Sequence, residues 1–372
     1  MTEIIAGCSD AEIEKINQEP VVYHEYYRYF TPSFSPHPEP NITDIYAPYN
    51  KPFGLRHYFT HAESPIGIRE NMPFALFDSD FVLFEPLQVN TGRDISQNYV
   101  GAQEVHIIKD TVIDGIAIAH DWKNYMGAGW FRDNMKETKD KICQTGDCAN
   151  ISEAEGLEFY SRAGPPYIMT KNDGMKMIND YCDFAIMGRK LFPKEWMVEM
   201  YAYSLAAGNH NIKHIIVNNL GINWPGGEPP QAWNFIDSSL PNPCYNGDIV
   251  LPPTPPAALH YCQRLGLELV HEQGYYFYKY NIPTDMFDCN AMLLEIPPST
   301  QWDEVFTKYT DNDTIRKKRH EVWGACTLAK IANEAFLQVK KQTCPKGFNT
   351  FTGIPMNETQ RRESAWPRKP KL

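Results

Sequence analysis

The sequence predicts an α/β fold, on three observations. Short apolar runs, among them Phe74–Leu87, residues 114–120 and His214–Val217, alternate along the chain with segments whose apolar residues recur at helical spacing. A length of 372 residues with 42% hydrophobic and 13% aromatic content provides for a sizeable core and argues against a disordered chain. No internal repeat is present, so the alternation is not that of a solenoid. The expected division is an α/β domain over residues 1–300, a helical extension over 301–344 and a basic, Pro-rich, loosely ordered tail over 345–372.

Taken in order, the first 50 residues are rich in Tyr, Pro and Asn, and the spaced prolines of Ser35–Pro40 predict a long irregular loop. A helix is predicted after Asn50, with Pro52 in its first turn and Phe53, Leu55, Tyr58 and Phe59 on its spacing. Phe74–Leu87 then reads as a buried strand of a sheet covered on both faces. After a polar stretch, residues 114–120 form a short β-like run, and Gly127–Phe131 reads as a turn with exposed aromatics. Cys143–Gly156 is read as a surface insertion closed by Cys143 and Cys148. A brief strand at Tyr167–Met169 leads to a helix from Asn172 or Asp173 through Phe184. The next helix, Pro193–Ala207, carries Trp196, Met200, Tyr203 and Ala207 on one face with Glu199 among them. His214–Val217 and Leu259–Tyr261 are read as strands, 225–230 as a loop, and Ile315–Gln342 as an amphipathic helix packed on the core.

Within the Phe74–Leu87 run stand two carboxylates, Asp78 and Asp80. An unpaired, buried carboxylate costs several kcal/mol or must protonate. Residues two apart on a strand share a side, so both can direct oxygens at one hard divalent ion, Mg²⁺ or Mn²⁺. A solvated turn would not normally carry such apolar flanks. His260, in a short apolar stretch, is either a satisfied core histidine or a further ligand. Glu199 must be paired, protonated or functional. Trp130 and Trp196 are candidates to stack on a sugar face, or core material. Lys51 and Arg56 either meet a phosphate or face solvent.

Composition removes several functions. A formal charge of −11, from 46 acidic and 35 basic residues, lacks the basic face of a general nucleic-acid binder. No Gly-rich phosphate loop or nucleophile elbow occurs. The nine cysteines lack close C-x-x-C spacing, which favours disulfides over zinc. Four Asn-x-Ser/Thr sequons, at Asn41, Asn150, Asn312 and Asn357, point the same way, towards a secretory lumen. Met1–Cys8 has no charged leader and no apolar run long enough for a signal peptide or membrane anchor, so the expectation is either a cytosolic protein or a lumenal one whose targeting segment lies outside this sequence.

Several stretches in order resemble the plant and algal hydroxyproline O-arabinosyltransferase and peptidyl-serine α-galactosyltransferase family. They are Tyr49–Pro52 with its helix, Phe74–Asp80, Pro166–Met169, Trp196–Tyr203, Lys213–Ile215, Leu259–Tyr261, Tyr276–Lys279 and Ala332–Ala335, spanning roughly residues 1–344. The resemblance implies a GT-A fold, a Rossmann-like sheet binding a UDP-sugar at the carboxyl ends of its strands. It implies Mn²⁺ (or Mg²⁺) on Asp78, Asp80 and His260, with Asp80 and Glu199 in catalysis. Asn50, Lys51 and Arg56 would line the nucleotide, and Trp130, Trp196 and Glu199 the sugar and acceptor.

The implied reaction moves arabinose or galactose to a protein hydroxyl, on hydroxyproline or serine, with retention, in the Golgi or ER lumen. The family's first strand and helix would lie upstream of Ile4–Cys8, so the first β-α unit is expected to be missing. The alternative is an inactive relative that binds glycan or protein. Two departures bear on sugar choice: Tyr275 replaces the family's usual Trp, and the central motif is Asp-Ser-Asp. Cys289 with Cys344 is the preferred disulfide, since both flank segments that should converge.

Overall fold

A computed structural model of the protein describes residues 1–21, 24–62, 72–103, 107–223, 225, 233–236, 240–245, 249–267 and 275–356. The expected loop after Pro225, the Asn357 sequon and the tail beyond residue 356 lie outside these, as do the side chains of Tyr275 and Tyr276.

The architecture is mixed α/β. The N-terminal half begins with β1 (Thr2–Ala6), α1 (Asp10–Gln18), β2 (Tyr27–Thr31), α2 (Asn50–His61), β3 (Pro73–Leu76), β4 (Phe81–Leu83), β5 (Ile116–Asp121) and α3 (Lys123–Met126). It continues through α4 (Lys136–Cys143), α5 (Glu153–Phe159), β6 (Ala163–Thr170), α6 (Lys171–Leu191), α7 (Val198–Asn209) and β7 (Lys213–Val217). The remainder holds β8 (Ala258–His260), β9 (Leu265–Leu267), β10 (Tyr275–Phe277), β11 (Leu293–Leu294), α8 (Thr300–Lys308), α9 (Asn312–Thr343) and β12 (Thr352–Ile354).

Two compact units result, one from Met1–Glu19, Tyr23–Ser79 and Pro86–Leu220, the other from Pro20–Val22, Asp80–Glu85 and Gly221–Leu372. In the first, a four-stranded sheet runs in the order β3-β6-β5-β7. Only β5 and β7 are parallel in it; β6 is antiparallel to both β3 and β5. Period-two alternation divides its side chains between two cores. Phe74, Ala117, Ala119, Tyr167, Met169 and Ile216 join the larger core, which includes residues of α6 and α7. Ala75, Ile118, Ile168, Ile215 and Val217 join a smaller one with Ile95, Ile108 and Val112. Proline is disfavoured inside a sheet for want of an N–H. In β6 the register with β5 shifts between Ala119 and His120, so Pro165 and Pro166 fall in the irregularity.

The expected irregular N-terminus is instead a β-α-β unit, β1 pairing β2 in parallel with α1 between them. Ser9 caps α1 by accepting from Glu12 N, and the Glu12 carboxylate accepts from Ser9 N at 2.8 Å, a capping box. The single strand expected over Phe74–Leu87 is two, β3 and β4, separated by Phe77–Asp80. β3 is an edge strand and only half-buried, so it is not covered on both faces as the apolar run suggested. The region expected as a surface insertion, Cys143–Gly156, is partly core: the disulfide-linked Cys143 and Cys148, and Ile151, are buried in the larger core.

In the second unit, α9 packs on α8, β9, β10 and β11. Asp311 starts α9 by accepting from Thr314 N at 2.8 Å. Trp323, Val322, Leu328 and Ala329 of α9 meet Leu259, Leu265, Trp233 and Leu294 in one core. Cys289–Cys344 forms as expected, and Cys244–Cys326 adds a third disulfide. Cys8, Cys182 and Cys262 are free thiols. No described helix is long and apolar enough to cross a membrane.

Candidate functional site

Asp78 follows the carboxyl end of β3 and Asp80 precedes β4, so the Asp-Ser-Asp turn sits between two strands rather than within one. Asp78 Oδ1 lies 2.8 Å from Lys51 Nζ, in the first turn of α2. The same ammonium stands 3.4 Å from Glu199. Glu199 is 4% exposed and takes a hydrogen bond from the Tyr181 hydroxyl, while its backbone N–H donates to Tyr46 Oη at 3.0 Å. Tyr46 in turn donates to the Trp196 carbonyl at 2.5 Å, and the Arg189 guanidinium lies over its ring, 4.3 Å from the centroid. Arg189 is itself gripped by both oxygens of Asp44, at 2.7 and 2.9 Å. Glu199 is thus a fixed carboxylate, held at one oxygen by Tyr181 and at the other by Lys51, with its backbone N–H bound to Tyr46.

Desolvation raises the Glu199 carboxyl above its usual range, with Lys51 opposing. For Lys51, burial alone would lower the ammonium, but Asp78 and Glu199 outweigh it and hold it charged.

Asp80 is 8% exposed. Its carboxylate meets His260 Nε2 at 3.1 Å and Lys279 Nζ at 2.5 Å. The strand pairing of β4 with β8 produces the first contact: Phe81 is opposite His260 in register, and Tyr261 N donates to the Asp80 carbonyl at 3.0 Å. The Phe81 ring stacks on the imidazole, 4.3 Å between centroids and 6° between planes. His260 Nδ1 faces Asn223 Oδ1 at 3.0 Å, which fixes the ring and turns Nε2 towards the carboxylate. Desolvation pushes the Asp80 carboxyl up, but His260 and Lys279 outweigh it and hold it well below the usual range. Burial likewise lowers His260, and its hydrogen bonds to Asp80 and Cys262 prevail, lifting it to about 9.

Within the second unit the Asp80 carboxylate and the His260 imidazole are neighbours, and Asp78 precedes Asp80 by two residues in the chain, Ser79 alone separating the two aspartates. Two carboxylates and an imidazole suit Mn²⁺ or Mg²⁺. The premise that the aspartates require a cation is corrected, however. Asp78 is a third exposed, and each carboxylate already has a lysine partner.

The other expected residues separate from these. Trp130 is 4% exposed, not a rim aromatic: its ring abuts α6 where a Cβ on Gly188 would stand 2.3 Å away. Trp196 precedes α7, which starts at Val198, so it does not share the Met200 and Tyr203 face; it is 53% exposed with its ring edge-on to Tyr46. Asn50 Oδ1 accepts from Phe34 N at 2.8 Å and so holds the preceding loop. Arg56 lies over the Phe53 ring, 4.7 Å from its centroid. Sequence reasoning assigned no role to Lys279, Tyr181, Tyr46 or Asn223. A lysine among the aromatics of Tyr276–Tyr280 was the one signal available.

Compared with known proteins, the chain matches no family model, no curated protein and no solved structure.

Proposed function

We propose that the chain is a metal-dependent glycosyltransferase of GT-A type, transferring arabinose or galactose from a UDP-sugar to a hydroxyproline or serine hydroxyl of a protein in the Golgi or ER lumen. The observation that carries the reading is the buried pairing of Asp80 with His260 Nε2 at 3.1 Å, with Asp78 two residues before Asp80, at the motif positions where the family resemblance expects them. Three disulfides among the described residues fit an oxidising lumen.

Asp78, Asp80 and His260 would hold the Mn²⁺ or Mg²⁺, which supplies charge neutralisation for the departing diphosphate. Asn223 orients His260 so that Nε2 serves as donor. Lys279 and Lys51 place further positive charge beside the carboxylates, available to anionic oxygens of a ligand. Glu199 orients a sugar or acceptor hydroxyl; held between Tyr181 and Lys51, its carboxylate is positioned without rearrangement. The retaining outcome implied by the family needs no base at Glu199.

The two lysines also support a second reading, a non-catalytic relative whose aspartates are neutralised by the chain itself. Thermal unfolding with Mn²⁺ and UDP together, each alone, and with Asp80→Ala separates the two. The transferase reading expects the pair to raise Tm well beyond either alone, through a stabilisation of about 2.7 kcal/mol at a hundredfold excess over Kd. It expects Asp80→Ala to abolish that gain, and sugar to pass from a UDP-sugar to a hydroxyproline peptide. An unchanged melting curve for the wild-type chain would sink it in favour of the second.

A further inference from the structure

Three of the sequons lie among the described residues, and two of them share a presentation. At Asn41-Ile42-Thr43, Asn41 and Thr43 are exposed while Ile42 packs against the larger core. At Asn150-Ile151-Ser152, Asn150 and Ser152 are exposed and Ile151 is 8% exposed within that core. Residues i and i+2 of an extended segment share a side. Ile151 and Ser152 have extended backbones, with φ −69° and ψ 126°, and φ −70° and ψ 163°. The central isoleucine thus anchors the segment and turns the carboxamide and the hydroxyl residue outward together.

Each segment is also held from its N-terminal side. Ile42 N donates to the Glu39 carbonyl at 3.0 Å, closing a turn that carries Pro40 and Asn41 at its centre. The Cys143–Cys148 disulfide closes the loop just before Asn150. The third sequon differs: Asn312, Asp313 and Thr314 lie in the first turn of α9, with Thr314 N bound to Asp311 and no apolar anchor at the centre.

We infer that Asn41 and Asn150 are N-glycosylation sites. The donor class is an oligosaccharide joined through a diphosphate to a polyprenyl lipid. Asparagine Nδ2 bonds to the anomeric carbon, the bond from that carbon to the diphosphate oxygen breaks, and one amide proton leaves to a base as polyprenyl diphosphate departs. No oxidant or reductant takes part. An exposed asparagine lets the glycan remain in solvent, so folding proceeds with it in place. In the folded chain Ser152 Oγ then accepts from Glu155 N at 3.2 Å and caps α5.

The inference rests on the lumenal location in the proposed function and is independent of sugar transfer. The test uses the full chain purified from the cells that make it, digested and treated with an N-glycan-releasing amidase in heavy-oxygen water. Release converts the modified asparagine to aspartate carrying the heavy oxygen, which mass spectrometry locates. The expected result is that label at positions 41 and 150 in nearly all copies, absent without amidase, with a matching gain in electrophoretic mobility. Unmodified asparagine at either position in the purified protein overturns the assignment there. A chain that binds UDP with Mn²⁺ yet carries plain Asn41 and Asn150 loses this inference and retains the transferase reading; the opposite pair of results does the reverse.

Discussion

Lys51 is the residue on which the first unit's charged cluster depends. Among the described residues it supplies the ammonium to both Asp78 and Glu199, and the contact with Glu199 is made deep in the protein, where a lone charge is costly. Lys51→Ala is expected to cost about 3–5 kcal/mol, because it strands a buried carboxylate. The double variant Lys51→Met/Glu199→Gln removes both charges and should recover most of that loss, leaving Asp78 to solvent. Urea midpoints check this, and equal losses for single and double variants would refute it. Asp78 and Asp80 stood out in the sequence because carboxylates two apart in an apolar run demand an explanation, and His260 was singled out with them through the family resemblance. Their lysine partners were not. Lys51 meets Glu199 across 148 positions and Lys279 meets Asp80 across 199, and no local pattern encodes a pairing at that range.

Among the elements, the two tryptophans assigned to sugar stacking divide sharply. Trp130 fills a space left by Gly188 on α6, so Trp130→Ala should cost about 3–5 kcal/mol. Trp196, half in solvent with its ring edge-on to Tyr46, should cost far less as Trp196→Ala, about 1 kcal/mol. Denaturation of both variants decides the matter, and similar losses would overturn this account of their packing. Helices α6 and α9 were readable because each buries a broad stripe at helical spacing. The first 31 residues were not, since α1 has no buried residue and therefore no apolar face to recognise, although its Ser9–Glu12 capping box stood in the sequence. Phe74–Leu87 misled for the opposite reason. Continuous apolarity is read as one covered strand, whereas here the Asp-Ser-Asp turn separates two strands that belong to different sheets.

At the scale of the whole molecule, stability should fall in mild acid. Burial lowers His214 to about 4, and burial together with Arg316 and Arg319 lowers His320 to about 3. Both folded values lie below the unfolded value near 6.5, so the unfolded chain binds more protons between them. Stability contributed by neutral histidine is therefore complete above about 6.5 and lost as pH falls towards 4 and 3, at up to about 1.4 kcal/mol per pH unit for each. His260 has the opposite sign: its contribution is complete below about 6.5 and fades as pH rises through about 9. Urea unfolding of His320→Gln between pH 7 and 5 should show a flatter acid limb than wild type; an identical slope would exclude His320 as a contributor.

The second unit also has a schedule set by ribosome speed. Its strand β4 leaves the ribosome early, but its partner β8 comes far later, with 180 positions separating Asp80 from His260. At roughly 5–20 residues per second, β4 waits on the order of ten to forty seconds for the strand that completes it. Through that interval the nascent chain carries Asp80 without its imidazole or its lysine. A ribosome halted before His260 is made would hold a polypeptide with Asp78 and Asp80 in place but not the strand that pairs with β4, an opening in which a chaperone has work to do.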